Sequence, residues 1–262
     1  MTASGDHLRL RSRTALVTGS TSNIGRAIAV QFGAEGAHVL VCGRDTERGE
    51  GVVEEIRAAG GFADFVRADL DGSRAASVEL AERASVRLGG RIDILVNNAG
   101  VFPGGTTASF DEETVDRVYV VNVKAPYFLT AAVVPAMLER GSGVILNMGS
   151  WIARLGLSGT ALYASTKGAM ETLTRAWSAE FGPGGVRVNA ISPGVVRESD
   201  EAAAASARGE MLMAGTPHGR SGRPDAIASA ATFLASDEAW FIHGTVLDVD
   251  GGRIGVSVQA GP

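Results

Sequence analysis

Short apolar, β-branched runs alternate with longer amphipathic stretches along nearly the whole chain. The runs occupy residues 15–18, 38–42, 62–66, 92–96, 144–147, 186–191 and 246–249. Helical periodicity fills residues 26–35, 47–59, 73–88 and 112–139 between them. Alternation of strand and helix predicts a mostly parallel sheet with helices on both faces. The expected fold class is therefore α/β, a Rossmann-like doubly wound parallel sheet of about seven strands. Gly36, Gly60-Gly61, Gly89-Gly90 and Gly141 stand where helices should stop. Pro126 and Pro135 fall inside the longest helical pattern, which should kink or break there. Residues 197–223 are less regular and contain an alanine run at 202–205; a short helix in a mobile loop is expected. No Pro/Ser-rich linker or composition shift divides the chain. One domain over residues 13–262 is expected, with a substrate loop at 195–223 and a flexible segment at 1–12.

Composition narrows the function classes. The 262 residues are 45% hydrophobic and 20% charged, enough to bury a sizeable core. A net charge of -5 removes the basic footprint that nucleic acid requires. No apolar run comes close to the ~20 residues that cross a bilayer. The polar first dozen residues lack the apolar centre of a signal peptide. Cys42 is the sole cysteine, which excludes an internal disulfide and a multi-cysteine zinc site. His243 stands alone and reads as structural rather than as a metal ligand. A cytoplasmic protein is expected, with no nucleic-acid partner, no membrane and no metal.

Thr18-Gly-Ser-Thr-Ser-Asn-Ile-Gly25 follows the first strand and opens the first helix. In that context backbone can approach a pyrophosphate closely, with helix N–H groups facing it. Gly19, Ser20, Thr21, Ser22, Asn23, Ile24 and Gly25 are thus candidate cofactor-binding residues; a plain strand-to-helix turn is the alternative. Asn23 stands where glycine is expected, and asparagine is the next-best residue for positive φ. Its bulk near the phosphates would lower affinity. At the end of the second strand, Gly43 occupies the place of an acid that would hold the ribose 2′-OH of NAD. Arg44 follows and suits a 2′-phosphate. Asp45 is near enough to serve NAD but reads better as the N-cap of the next helix. NADP is favoured, with NAD as the alternative.

Tyr163 and Lys167 are four residues apart, so a helix places phenol and ammonium on one face. Two unrelated surface residues would show the same spacing. Moving a tyrosine from ~10 to ~7 requires roughly 4 kcal/mol of phenolate stabilisation. A cation ~5 Å away at an effective dielectric of ~20 supplies about 3.3 kcal/mol, and burial works against it.

Further pieces occur in a fixed order. They are Thr18-Gly19…Gly25, Asp69-Leu70, Asn97-Asn-Ala-Gly100, Asn122, Ser150, Tyr163-x-x-x-Lys167, Asn189, Pro193-Gly194 and Val249-Asp-Gly-Gly252. This ordered set resembles the short-chain dehydrogenase/reductase family over almost the whole chain. The nearest likeness is the soluble single-domain branch of 3-oxoacyl-carrier-protein reductases and many sugar, steroid and polyol dehydrogenases. The resemblance is specific for the family and not for a substrate.

It implies reversible hydride transfer between a nicotinamide and the carbonyl or carbinol carbon of a small molecule. Tyr163 would be the general acid/base and Ser150 would stabilise charge on the same oxygen. Lys167 would act on the phenol and the nicotinamide ribose, and Asn122 would hold a water linking Lys167 to solvent. Asp69 would bind the adenine amino group, with Leu70 beside the ring. Asn98, Ala99 and Gly100 would line the adenosine ribose. Pro193 and Gly194 complete the cofactor set, with Val196 offering backbone to the nicotinamide amide. A homo-oligomer, tetramer or dimer, is implied through residues 112–139, residues 161–181 and the C-terminal strand. The stripe Val118, Val121, Ala125, Phe128 and Leu129 suits an interface or the core. Glu198 departs from the family's usual threonine; either Ser199 substitutes for it or the loop swings Glu198 outward. Phe102, Trp151, Arg154, Leu155 and residues 195–213 flank the proton donors and are candidates for substrate selection, Arg154 as an anion attractor. A catalytically silent NADP(H)-binding regulator would leave Asn122, Ser150, Tyr163 and Lys167 without a task. A methyltransferase would explain only the glycine turn.

Overall fold

The computed structural model describes residues 8–197 and 209–257; Glu198, Ser199 and the alanine run lie outside them. Seven strands form one parallel sheet: β1 (Thr14–Thr18), β2 (His38–Gly43), β3 (Phe62–Arg67), β4 (Ile94–Asn97), β5 (Gly143–Met148), β6 (Val186–Pro193) and β7 (Val246–Val249). Their order is β3-β2-β1-β4-β5-β6-β7, with Val17 of β1 opposite both Val41 of β2 and Val96 of β4. The described helices are α1 (Asn23–Ala34), α2 (Thr46–Ala58), α3 (Arg74–Arg87), α4 (Glu112–Tyr119), α5 (Ala125–Arg140), α6 (Ala161–Phe181) and α7 (Pro224–Ala235). This is the doubly wound α/β architecture that the alternating pattern predicts.

Strand side chains divide between two cores with a period of two. Ala15 and Val17 face the same core as Ile28 and Phe32 of α1 and Ile227 and Leu234 of α7. Leu16, between them, faces Leu80 of α3, Leu129 and Met137 of α5, and Trp177 of α6. Both sheet faces are covered, which is why the strands read as nearly unbroken apolar runs. Chain direction across the sheet reverses between β1 and β4. The crevice beyond their carboxyl ends is where such a sheet holds a ligand.

Several details refine the sequence reading. Within the segment expected to be flexible, Leu10 is fully buried and Arg9 pairs with Glu35 at the end of α1. The long helical pattern is interrupted by a π-helical turn, Val120–Lys124, where Ala125 N–H donates to the Val120 carbonyl. That break immediately precedes Pro126, whereas α5 runs through Pro135 unbroken. By length and mean hydropathy, Glu112–Arg140 is apolar enough to cross a bilayer, although no run was expected to come close. Its residues Leu129, Val133 and Met137 are buried in the second core, so it is a layer of this fold. Val118, Ala125 and Leu129 of the stripe are buried, whereas Tyr119, Tyr127 and Leu138 are the large apolar side chains that the segment exposes.

Candidate active site

The turn after β1 is tight because two glycines make it so. Gly19 has φ of 63°, and a Cβ there would lie 2.8 Å from the Ala99 Cα. At Gly25 a Cβ would lie 2.2 Å from the Gly19 carbonyl oxygen. Asn23 adopts φ of 47°, the left-handed conformation for which asparagine was expected to serve. The β4 end braces the turn: Asn98 Nδ2 donates to the Thr18 and Gly19 carbonyls at 2.9 and 3.0 Å. Thr18 Oγ1 in turn accepts from the N–H groups of Asn98 and Ala99. Ser20 differs from the rest of its segment. It is fully buried, donates to the Val17 carbonyl at 2.6 Å and accepts from Cys42 N–H at 2.9 Å. It ties β1 to β2 and does not line the cleft, which corrects its place among the candidate cofactor residues.

That cleft encloses about 570 Å³ along the carboxyl ends of the strands. At one end lie Gly19, Thr21, Ser22, Asn23, Ile24, Gly25, Arg44, Asp69 and Leu70. At the other lie Ser150, Tyr163, Lys167, Pro193, Gly194 and Val196, with Asn98, Ala99 and Gly100 between. At Gly43 a Cβ would meet the Thr21 methyl at 2.5 Å, so a side chain there would require Thr21 to move. Asp45 caps α2, accepting from Arg48 N–H at 3.1 Å. Exposed Arg44 makes no ion pair among the described residues and is free to meet an anion. The bare turn, the clamp on its carbonyls and the unpaired guanidinium fit a nicotinamide dinucleotide.

At the other end, α6 buries a stripe at helical spacing: Thr166, Lys167, Met170, Glu171, Thr174, Trp177 and Phe181. Lys167 Nζ donates to the Met148 carbonyl at 2.9 Å and lies 5.5 Å from the centre of the Tyr163 ring. Burial lowers the lysine to about 8. It also pushes the Tyr163 phenol up to about 12, against a smaller opposing effect of the Ser150 hydroxyl. In the protein alone burial therefore outweighs the Ser150 contact, and the shift is upward where a downward one was expected. The Phe102 ring, tilted 51° with its centre 4.5 Å from that of Tyr163, shields the phenol.

Asn122 is buried and does not line the cleft. Its Oδ1 accepts from Val101 N–H at 2.8 Å, and its Nδ2 donates to the Val101 carbonyl and Thr166 Oγ1. It thereby fixes the loop after β4 to α6. Three substrate-selection candidates move away from the cleft. Trp151 is buried beneath the Arg253 guanidinium, Leu155 is not among the lining residues, and Arg154 is engaged by Asp248 and Glu171. An anion-attracting role for Arg154 is thus excluded by its partners. Thr18 opens the turn motif in the sequence, but its role as a strand-end brace does not show there because its partners are about 80 residues away. Among the described residues no group of three metal-ligating side chains occurs.

A family model described as enoyl-(acyl carrier protein) reductase matches residues 19–253. A 2,5-dichloro-2,5-cyclohexadiene-1,4-diol dehydrogenase of Sphingobium indicum is 39% identical, covering 93% of this chain and 97% of its own. A 3-oxoacyl-[acyl-carrier-protein] reductase of Thermotoga maritima is 34% identical over 94% of this chain and all of its own. The chain belongs to the short-chain dehydrogenase/reductase family. It is an oxidoreductase of that family, acting on a small molecule with a nicotinamide cofactor. A Beutenbergia cavernae structure, provisionally assigned as an NAD(P) dependent gluconate 5-dehydrogenase, superposes with a TM-score of 0.88. It is 38% identical, is covered in full by 96% of this chain, and carries NADP at low occupancy. Three relatives with three different substrates share one fold, so membership in the short-chain family selects a reaction and leaves the substrate to local residues.

Proposed function

We propose that this chain interconverts a carbonyl and a secondary alcohol, with Tyr163 as general acid and base and NADP(H) favoured over NAD(H). One observation carries the reading. Ser150, Tyr163 and Lys167 line one end of the cleft whose other end holds the glycine turn and Arg44. The cofactor supplies or accepts the hydride. In reduction Tyr163 gives its proton to the carbonyl oxygen, and the Ser150 hydroxyl donates to the same atom. Burial keeps the phenol protonated, so the donor is ready before reaction. In oxidation Tyr163 must take a proton, and the Lys167 ammonium is the protein's own charge favouring that phenolate. Pro126 has no N–H, which leaves a carbonyl at Val121 or Asn122 without its helical donor. A water accepted there would link Lys167 to solvent, with Asn122 fixing the turn.

Asp69 and Leu70 would take the adenine, and the Val196 backbone the nicotinamide amide. Gly43 and Arg44 support the NADP preference. The half-exposed Phe102 ring favours an apolar group beside the carbonyl. The test follows nicotinamide absorbance with ketones, aldehydes, β-ketoacyl thioesters and cyclic diols, using NADPH and NADH in parallel. Turnover is expected to be faster with NADPH. Tyr163→Phe should lower kcat by about 10²–10⁴-fold and leave cofactor Kd unchanged. Arg44→Ala should raise the Kd for NADPH about tenfold, the loss of one charge-assisted contact, and leave NADH untouched. Equal losses for both cofactors would reject the NADP preference. Binding without turnover on every substrate would favour the silent regulator.

A further inference from the structure

We propose that Arg154 is a positioning residue, setting the orientation of Ser150 through an ion triad with Glu171 and Asp248. This rests on the reading of Ser150 as the hydroxyl that meets the reacting oxygen. Ser150 opens a 3₁₀ turn, Trp151–Ala153, in which Ala153 N–H donates to the Ser150 carbonyl at 2.9 Å. Arg154 closes that turn, its N–H donating to the Trp151 carbonyl at 3.2 Å. From there its guanidinium reaches two other elements. Nε lies 3.5 Å from Glu171 Oε1 on α6. Nη1 donates to Asp248 Oδ2 on β7 at 3.0 Å, and Nη2 bonds the other oxygen of the same carboxylate.

Glu171 stands one helical turn beyond Lys167 and two beyond Tyr163. One guanidinium therefore joins the segment carrying Ser150 to the helix carrying Tyr163. Two hydroxyls from different segments can share one oxygen only if the distance between those segments is fixed. The Asp248 contact alone is a third exposed and contributes little as an ion pair. The Glu171 contact is different. Glu171 is 4% exposed, and its Oε1 has no hydrogen-bond partner. Burial holds its carboxyl above the usual range, opposed by Arg154 and Arg175. Without Arg154, Glu171 must take a proton or move.

Movement there is transmitted directly. A Cβ at Gly149 would lie 3.3 Å from Glu171 Oε1, so the carboxylate packs on the residue preceding Ser150. The opposite side of the turn is also held. The Arg253 guanidinium covers buried Trp151 at 5.2 Å, and Asp250 accepts from the N–H groups of Gly252, Arg253 and Ile254. Neither Arg154 nor Glu171 lines the cleft, so their effect reaches the substrate only through the turn.

The test is a double-mutant cycle in the full chain with Ser150→Ala, Arg154→Met and the double variant. The readouts are kcat with NADPH, KM, cofactor Kd and thermal unfolding. Arg154→Met should lower kcat about tenfold with cofactor Kd within about threefold. In the Ser150→Ala background the same change should lower kcat less than about twofold, because the hydroxyl it positions is gone. Arg154→Lys cannot fork onto two carboxylates and should restore little of the loss. Should Arg154→Met fail to fold, Asp248→Asn replaces it in the same cycle. Wild-type kcat in Arg154→Met, or losses that multiply in the double variant, would overturn the proposal. Wild-type kcat in Ser150→Ala alone would instead remove the site reading on which it rests.

Discussion

Lys167 is an ammonium placed in the buried stripe of α6, where its charge opposes folding and serves the chemistry. Its pKa of about 8 lies below the unfolded value of 10.5 because burial favours the neutral amine. The unfolded chain therefore binds more protons between those values, and stability rises with pH across that window. Below pH 8 the full cost is present, about 3 kcal/mol from the size of the shift. The bond to the Met148 carbonyl offsets part of it. Lys167→Met is thus expected to abolish turnover while stabilising the fold by about 1–3 kcal/mol at pH 7. Urea unfolding checks this, and the gain should shrink as pH rises from 8 to 10. A variant less stable than wild type at pH 7 would mean that Lys167 is held by more than its one hydrogen bond. The pair was legible as a spacing, and the separation used to estimate it is close to the observed 5.5 Å. What the spacing does not carry is burial, since Phe102 and Ser150 come from other segments to enclose the phenol.

At the scale of elements, strands and helices were legible wherever one periodicity ruled a segment, and their ends were not. The π-helical turn is not a property of its own residues alone. It lets Asn122 reach Val101 and Thr166, contacts 21 and 44 residues distant in sequence. Leu10 escaped notice for a similar reason, as one of two leucines alternating with arginines, and it docks beside Glu35. A buried amide chain joins the elements behind the site. Asn97 Nδ2 donates to Thr130 Oγ1 and Asn147 Oδ1, and Asn147 Nδ2 donates to Thr174 Oγ1. All four residues are buried, and they connect β4, β5, α5 and α6. Asn147→Leu leaves one Asn97 N–H without an acceptor in the interior. The expected cost is about 2–4 kcal/mol of stability, read by urea unfolding, with kcat falling because Ser150 follows closely on the end of β5. A loss below about 0.5 kcal/mol would mean that the amides are replaceable by packing.

At the scale of the whole molecule, two separate surfaces among the described residues expose aromatic rings. One lies beside β7, an edge strand of the sheet, where Trp240 and Phe241 are 70% and 80% exposed with ring centres 5.0 Å apart. An edge strand presents unpaired backbone groups, and exposed aromatics beside it favour association. The other surface lies across α4, α5 and α6, where Tyr119 and Tyr127 are exposed and the Tyr127 ring leans on Trp177. If both surfaces self-associate, two distinct two-fold interfaces generate a closed tetramer, and loss of either leaves a dimer. Light scattering should then give the wild type a mass of about four times the 27.0 kDa chain. Phe241→Asp and Tyr127→Asp should each halve it, and the two together should give single chains. If only the β7 surface associates, the wild type is a dimer that Tyr127→Asp leaves intact. A wild type at 27.0 kDa would reject self-association altogether. The Ser150 turn is anchored to β7 through Arg154 and Asp248, so association at that edge would also steady the site. Phe241→Asp is accordingly expected to lower kcat modestly as well as mass, whereas Tyr127→Asp, on the far face, changes mass alone.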